Sequence, residues 1–195
     1  MHIVLLGDSV FDNAPYTAGG PAVIHHLRAL IGPGGEATLL AVDGHRVQDV
    51  RSQAERAPSG GTHFFLSIGG NDALDRIELL SRPVQTAGEG LALLGGAVDG
   101  FAEAYWDLLE QLKPRIESLQ VCTIYNGNFG PEAPVLSSAV RLFNDAIQRA
   151  AMDHSIPVLE LRNLLNRPEH YATPIEPSVE GGRVLAAEIV RRVRG

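Results

Sequence analysis

Leu5-Leu6-Gly7-Asp8-Ser9-Val10-Phe11-Asp12-Asn13 is the stretch that decides how this 195-residue chain reads. A short apolar run, Ile3–Leu6, drops straight into Gly7-Asp8-Ser9, and Pro21 opens a helical pattern a few residues later. This is the pattern of a strand that ends in a tight turn. It predicts a serine hydroxyl and backbone N–H groups exposed at the strand's carboxyl end, where sites in open α/β sheets lie.

Further apolar runs follow at Ala37–Val42, His63–Ile68, Leu119–Tyr125 and Pro157–Leu161. They are short, rich in Val, Ile, Leu and Phe, and mostly not alternating, as expected of strands buried on both faces. Helical patterns lie between them: Pro21–Ile31, Val47–Arg56, Val98–Leu112, Pro134–Met152 and Val179–Val193. The first starts on Pro and stops at Gly32-Pro33-Gly34-Gly35. Ser178 is placed to cap the last, with Gly181 and Gly182 predicting a tightly packed first turn. Five strand–helix alternations predict a three-layer α/β/α sandwich around a five-stranded parallel sheet. The expected strand order is flavodoxin-like, 2-1-3-4-5, in one domain over 1–195. Ala73–Gly96 has weak periodicity and reads as a partly helical excursion forming a wall or lid at the active edge.

Two more segments end strands at that edge: Val42-Asp43-Gly44 and Gly69-Gly70-Asn71-Asp72. In a 2-1-3 order their loops flank the Ser9 loop. The N–H groups of Ser9 and Gly44 and the Asn71 side-chain amide can then converge on one oxygen. Gly44 lets the backbone approach without a Cβ, and Asn71 is an uncharged donor. A serine nucleophile needs exposure, such donors and a base.

In this order and on these loops, Gly7-Asp8-Ser9, Gly44 and Gly69-Gly70-Asn71-Asp72 resemble the first three motif blocks of the SGNH (GDSL) hydrolase superfamily. The terminal Glu176-Pro177-Ser178 segment with Gly181 and the strand–helix count also suit that fold. The resemblance implies an ester hydrolase with Ser9 as nucleophile, an oxyanion hole of Ser9, Gly44 and Asn71, and no metal or organic cofactor. It departs at the fourth block, where the family has Asp-x-x-His before the last helix. Here the matching residues are Thr173-Pro174-Ile175-Glu176, and no Asp-x-x-His occurs anywhere in the chain. Three readings stay open. Glu176 takes the serine proton; or His170 or His45 does; or the protein is a catalytically weak or inactive relative that binds a ligand in the same cleft. A phosphate-bearing cofactor on a flavodoxin-like edge is disfavoured, because Asp8 puts a carboxylate where the anion would sit.

The remaining residues read more plainly. Asp8 suits a turn-former bonding nearby N–H groups, Asp72 a loop buttress, and Asp12 and Asn13 either local caps or pocket lining. Tyr125-Asn126-Gly127-Asn128-Phe129 ends at the active edge, either touching substrate or satisfying its own backbone. Trp106 is expected to anchor the core of its amphipathic helix. His25-His26 face different directions on a helix, and His2, His63 and His154 lack partners at ligand spacing, so no metal is expected. The net charge of −7 excludes a broad nucleic-acid surface. Arg191, Arg192 and Arg194 read as a cationic last turn complementing the helix dipole. Cys122, the only cysteine, reads as a buried strand thiol. Without a signal core or an 18-residue apolar span, the expectation is a cytoplasmic protein with no membrane anchor, acting on a small-molecule ester. Nothing in the pattern sets an oligomeric state, and a homo-oligomer stays open.

Overall fold

Each of the five apolar runs forms a strand in the computed structural model, which describes all 195 residues. The strands are β1 (His2–Gly7), β2 (Glu36–Leu39), β3 (His63–Ser67), β4 (Leu119–Cys122) and β5 (Val158–Leu159). All pair in parallel, in the order β2-β1-β3-β4-β5. Successive strand residues point to opposite faces, so two cores form. Ile3, Leu5 and Phe65 pack beneath α1 (Val23–Ile31) and α7 (Val179–Arg194). Val4, Leu6, Phe64 and Leu66 pack on the other face, beneath α2 (Val50–Ala54), α4 (Ala87–Leu112) and α5 (Ala133–Asp153). Two short helices, α3 (Gly70–Leu74) and α6 (Leu161–Leu164), follow β3 and β5.

Three strands end earlier than the apolar runs do, each for a local reason. After Leu39, the N–H groups of Leu40 and Ala41 both bond Leu5 O, at 2.9 and 3.0 Å, which breaks the ladder. Beyond Cys122 the buried Asn144 side chain takes both the N–H and the carbonyl of Ile124, each at 2.7 Å, in place of a neighbouring strand. After Leu159 the chain turns at once into α6, where Glu160 accepts the Arg162 N–H at 3.1 Å. The Val47–Arg56 pattern resolves into a 3-10 turn, Val47–Asp49, that runs into α2.

The largest departure is α4, which begins at Ala87 rather than Val98. Thr86 caps it by accepting the Glu89 N–H at 3.1 Å, and Glu89 returns a bond to Gln85 N at 2.8 Å. This capping arrangement starts a helix whose five glycines up to Gly100 masked its periodicity. Trp106 is also not a core anchor. The inward face of α4 is Phe101, Tyr105, Leu108, Leu109 and Leu112, and Trp106 lies off it, 41% exposed against the His154 ring. The α7 expectations hold. Ser178 Oγ accepts Gly181 N–H at 3.1 Å, Arg191 and Arg192 pair with Glu188, and Arg194 donates to Leu30 O. Cys122 is buried, and burial pushes its thiol pKa up. No helix is long and apolar enough to cross a membrane.

Candidate active site

Gly7 sets the site by letting β1 and β3 approach. Its φ is +127°, and a Cβ there would stand 1.7 Å from Ser67 O. The next peptide swings into a turn in which Asp8 N–H bonds Ser67 O at 3.1 Å. Asp8 Oδ1 accepts Val10 N–H at 3.2 Å, the turn-forming role expected of it. Between these two N–H groups, that of Ser9 makes no hydrogen bond. The Gly44 N–H is free as well. Gly44 has a left-handed backbone, φ +82°, which favours glycine, and none of the chain's own atoms lies within 4 Å of where a Cβ would be.

Hydrogen bonds stitch the loops after β1, β2 and β3 together. Asp12 Oδ2 accepts Asp43 N–H at 3.1 Å, and Asn71 Nδ2 donates to His45 O at 2.9 Å. Asp72 Oδ2 accepts Val47 N–H at 3.3 Å, so Asp72 is a buttress. Arg46 grips Asp75 through two nitrogens, at 2.6 and 2.8 Å, and donates a third bond to Gly44 O at 3.1 Å. Beneath them lies Gln53, wholly buried. It accepts Gly7 N–H at 2.7 Å and donates to Gly7 O and His45 Nδ1, both at 2.8 Å. Sequence reasoning missed Gln53. Its signal was a polar residue on the apolar row Val47, Val50, Ala54, Ala57.

The last loop brings Glu176 to Ser9. Thr173 Oγ1 accepts the N–H groups of Ile175 and Glu176, at 3.3 and 3.1 Å, and Ala172 N–H bonds Glu176 O at 2.8 Å. The turn is pinned from outside by Tyr125, whose hydroxyl bonds Ile175 O, and by Asn128 N–H on Pro174 O. From inside, Asn13 Nδ2 donates to Pro177 O at 3.1 Å while its Oδ1 accepts Val23 N–H at 2.9 Å.

Asp8, Ser9, Asn71 and Glu176 line one cleft, of about 1020 Å³ with the space at its open mouth. Asp8, Ser9 and Glu176 are only 3%, 7% and 6% exposed. Burial lifts the Glu176 pKa to about 7, against the opposing pull of the Ser9 hydroxyl. The two groups meet without a full hydrogen bond. Glu176 Oε2 has no partner. Burial lifts Asp8 further, to about 8, with the Glu176 and Asp72 charges adding to the rise. Tyr16, bonded to Asp43 at 2.7 Å, is pushed up to about 12.

Neither histidine lines the cleft. The Gln53 amide occupies His45 Nδ1 as a donor, which leaves the ring proton on Nε2. His170 is buried behind the Glu176 turn, its carbonyl bonded to Ser178 N–H at 2.8 Å, and it faces the Glu180 charge. No group of three His, Cys, Asp or Glu side chains is spaced to hold a metal ion.

Nineteen of the 27 cleft residues are hydrophobic, and most were invisible as site residues in the sequence. The 73–96 segment is a wall, contributing Leu74, Ile77, Leu79, Leu80 and Leu94. Tyr125, Gly127 and Phe129 face it from the β4 loop.

The sequence profile of the GDSL-like Lipase/Acylhydrolase family matches residues 5–184. The chain belongs to that family. No curated protein matches this sequence. Among solved structures, phospholipase A1 from Streptomyces albidoflavus NA297 superposes with a TM-score of 0.71 at 15% identity, over 98% of each chain. The lipase/acylhydrolase from Enterococcus faecalis gives 0.69 at 20% identity, over 100% of this chain and 95% of that one. A catalytic mutant of Axe2, an acetylxylan esterase from Geobacillus stearothermophilus, gives 0.71 at 16% identity, over 98% and 93%. At these identities the likenesses establish the fold.

Proposed function

We propose that this protein hydrolyses a small-molecule carboxylic ester through Ser9, with Glu176 as the base. The observation that carries the reading is the meeting of a buried serine, whose N–H is unused, and a buried carboxyl in one cleft with the Asn71 amide; Gly44 does not line that cleft. Ser9 Oγ attacks the ester carbonyl carbon while its proton passes to Glu176. The carbonyl oxygen takes the developing charge and receives the Ser9 and Gly44 N–H groups and the second Asn71 amide hydrogen. Collapse breaks the bond to the alcohol, whose oxygen takes the proton from Glu176. Water then repeats the sequence on the acyl-Ser9 ester, with Glu176 again accepting and returning the proton.

A carboxylate in this position also accounts for Thr173. A histidine base needs a carboxylate to fix its tautomer and to stabilise the imidazolium that forms. Glu176 becomes neutral when it takes the proton and has no tautomer to fix. Holding its backbone is enough, and Thr173 does that. A pKa near 7 places the base close to the optimum for proton transfer at neutral pH.

The test is turnover of p-nitrophenyl butyrate by wild type and Ser9→Ala, with labelling by a fluorophosphonate serine probe. Ser9-dependent turnover and labelling are expected. Turnover unchanged in Ser9→Ala would move the chemistry elsewhere, and no turnover with no labelling would leave a ligand-binding protein.

A further inference from the structure

We propose that Gln53 is a positioning residue for the Ser9 reaction, its buried amide joining the Ser9 loop to the Asn71 side chain through Gly7 and His45. This rests on the hydrolase reading above. The need for such a link arises where β2 stops, with Leu39 paired to Leu5. Beyond that pair the Gly7 carbonyl still takes one backbone donor, the Val42 N–H at 3.1 Å. The Gly7 N–H meets Gln53 Oε1 at 2.7 Å in place of a strand. Gln53 reaches this point from α2, wholly buried on an otherwise apolar row. The amide has only one workable orientation. Gly7 presents an N–H and a carbonyl together, so a flipped amide would set oxygen against oxygen. With one hydrogen committed to Gly7 O, the other points at His45 Nδ1, at 2.8 Å.

His45 passes the constraint on through its own backbone. Its N–H bonds Val42 O at 3.2 Å and closes the turn that carries Gly44. Its carbonyl accepts one hydrogen of the Asn71 amide at 2.9 Å. That NH2 group is planar, so fixing one hydrogen fixes where the other points, and the other is the one offered to the oxyanion. At the opposite end of the link, Ser9 follows Gly7 by two residues, through Asp8, whose N–H is held on Ser67 O at 3.1 Å. The Ser9 N–H and the free Asn71 hydrogen are thus placed relative to each other by the sheet on the β3 side and by one side chain on the β2 side. A methionine would fill the same space on this apolar row and give it no direction. In Gln53 the oxygen and both amide hydrogens are in use, so its burial leaves no polar atom unpaired.

The experiment measures kcat and KM for p-nitrophenyl butyrate in wild type, Gln53→Met, His45→Phe and the double variant, each below its melting temperature. Inhibition by the trifluoromethyl ketone of the butyryl group is measured alongside. Ser9 Oγ adds to the ketone carbon, its proton passes to Glu176, and the carbonyl oxygen becomes an oxyanion with no leaving group to lose. Gln53→Met is expected to lower kcat about 10- to 10²-fold, the scale of a small misplacement caused from outside the reacting groups. KM should stay within about twofold of wild type, and ketone affinity should fall in step with kcat. His45→Phe keeps the His45 backbone and should give part of the same loss. The double variant should lose no more than Gln53→Met, because both act through one link. A side chain that only supports the fold would lower the melting temperature and leave kcat and ketone affinity near wild type, which would overturn the proposal. So would a loss confined to KM, or a double variant whose loss is the product of the two single losses. Should Gln53→Met fail to fold, His45→Phe decides alone: kcat and ketone affinity falling together uphold the link, and wild-type values overturn it. Each overturning result, with Ser9-dependent turnover in wild type, leaves the hydrolase intact. No Ser9-dependent turnover of any ester would remove the hydrolase reading and this one with it.

Discussion

On the β2 side of Ser9, each loop is tied to the next by hydrogen bonds, whereas the α4–α5 side presents half-buried leucines and valines on helix halves that bury nothing. The two sides meet different physical demands. The proposed oxyanion would have to be met by donors placed within a few tenths of an ångström, and hydrogen bonds tie down the Gly44 and Asn71 loops. Apolar burial is non-directional and scales with area, so the other wall is not held to one geometry. Variants of the hydrogen-bonded side should therefore act on the rate of chemistry, and variants of the apolar side on which ester is used.

Ser9→Ala should cost most, lowering kcat by about 10⁴–10⁶ with the fold unchanged by circular dichroism. Any smaller loss would mean that the cleft's chemistry is carried by another group. Glu176→Gln keeps the shape and the turn but cannot accept a proton, and about 10²–10⁴ in kcat should go with it. With Glu176 as the proposed base, the ionised carboxyl would be the active form, so kcat/KM should rise with pH through about 7 and level off above it. If His45 or His170 were the base, Glu176→Gln would keep the rise and most of the rate. Asn71→Ala should lower kcat by roughly 10²–10³, the loss expected for one oxyanion donor. Because Asn71 also holds His45 O at 2.9 Å, an accompanying small fall in melting temperature is expected, and a large one would make its role structural.

The hydrogen-bonded side was also the more legible one. Gly7-Asp8-Ser9, Gly44 and Asn71 are short motifs at strand ends, and at Gly7 and Gly44 a positive φ calls for glycine. Strand order and layers followed from five apolar runs alternating with helical patterns. Gln53, which anchors Gly7 and His45, was hidden because a single polar residue on an apolar helix row looks like noise. The apolar wall of the cleft was hidden more deeply. Its leucines sit on a stretch where five glycines dilute the 3.6-residue period, and only the Thr86–Glu89 cap signals that a helix starts there. Apolar residues that line a cleft and apolar residues that fill a core carry the same signature until packing separates them. Trp106 erred the other way, outside a core already filled by Phe101, Tyr105 and Leu108.

Buried carboxyls beside Ser9 should leave a mark on stability. Asp8 rises from 3.8 to about 8 on folding and Glu176 from 4.5 to about 7. The folded state thus keeps protons that the unfolded chain releases. Their contribution is complete below about pH 4 and is lost as pH rises towards 8. Melting temperature should fall across that window, and Asp8→Asn should flatten the larger part of the fall. A melting temperature that climbs steadily from pH 5 to 8 would mean that Asp8 is ionised in the folded protein.

The smallest effect belongs to the apolar wall. Gly95 and Gly96 lie inside α4 with helical backbones, and a Cβ at either would have nothing within 4 Å. Alanine there removes unfolded-state freedom and adds helix propensity without a clash, so each substitution should stabilise by about 0.5–1 kcal/mol. In a chain of this size that raises the melting temperature by about 1–4 °C. The gain should appear only if the first half of α4 unfolds together with the core. If instead that half opens on its own, held by little more than the Thr86 cap, the global melting temperature will stay put. Hydrogen exchange will then show the gain locally, as slower exchange of amides between residues 91 and 100. Either way the substitution acts on the wall and leaves Ser9, Gly44, Asn71 and Glu176 untouched, so turnover of p-nitrophenyl butyrate reports how far the wall must flex to admit an ester. A stabilised wall with unchanged turnover means that the cleft is open before the ester arrives. A stabilised wall with slower turnover means that the glycines are there to let it open.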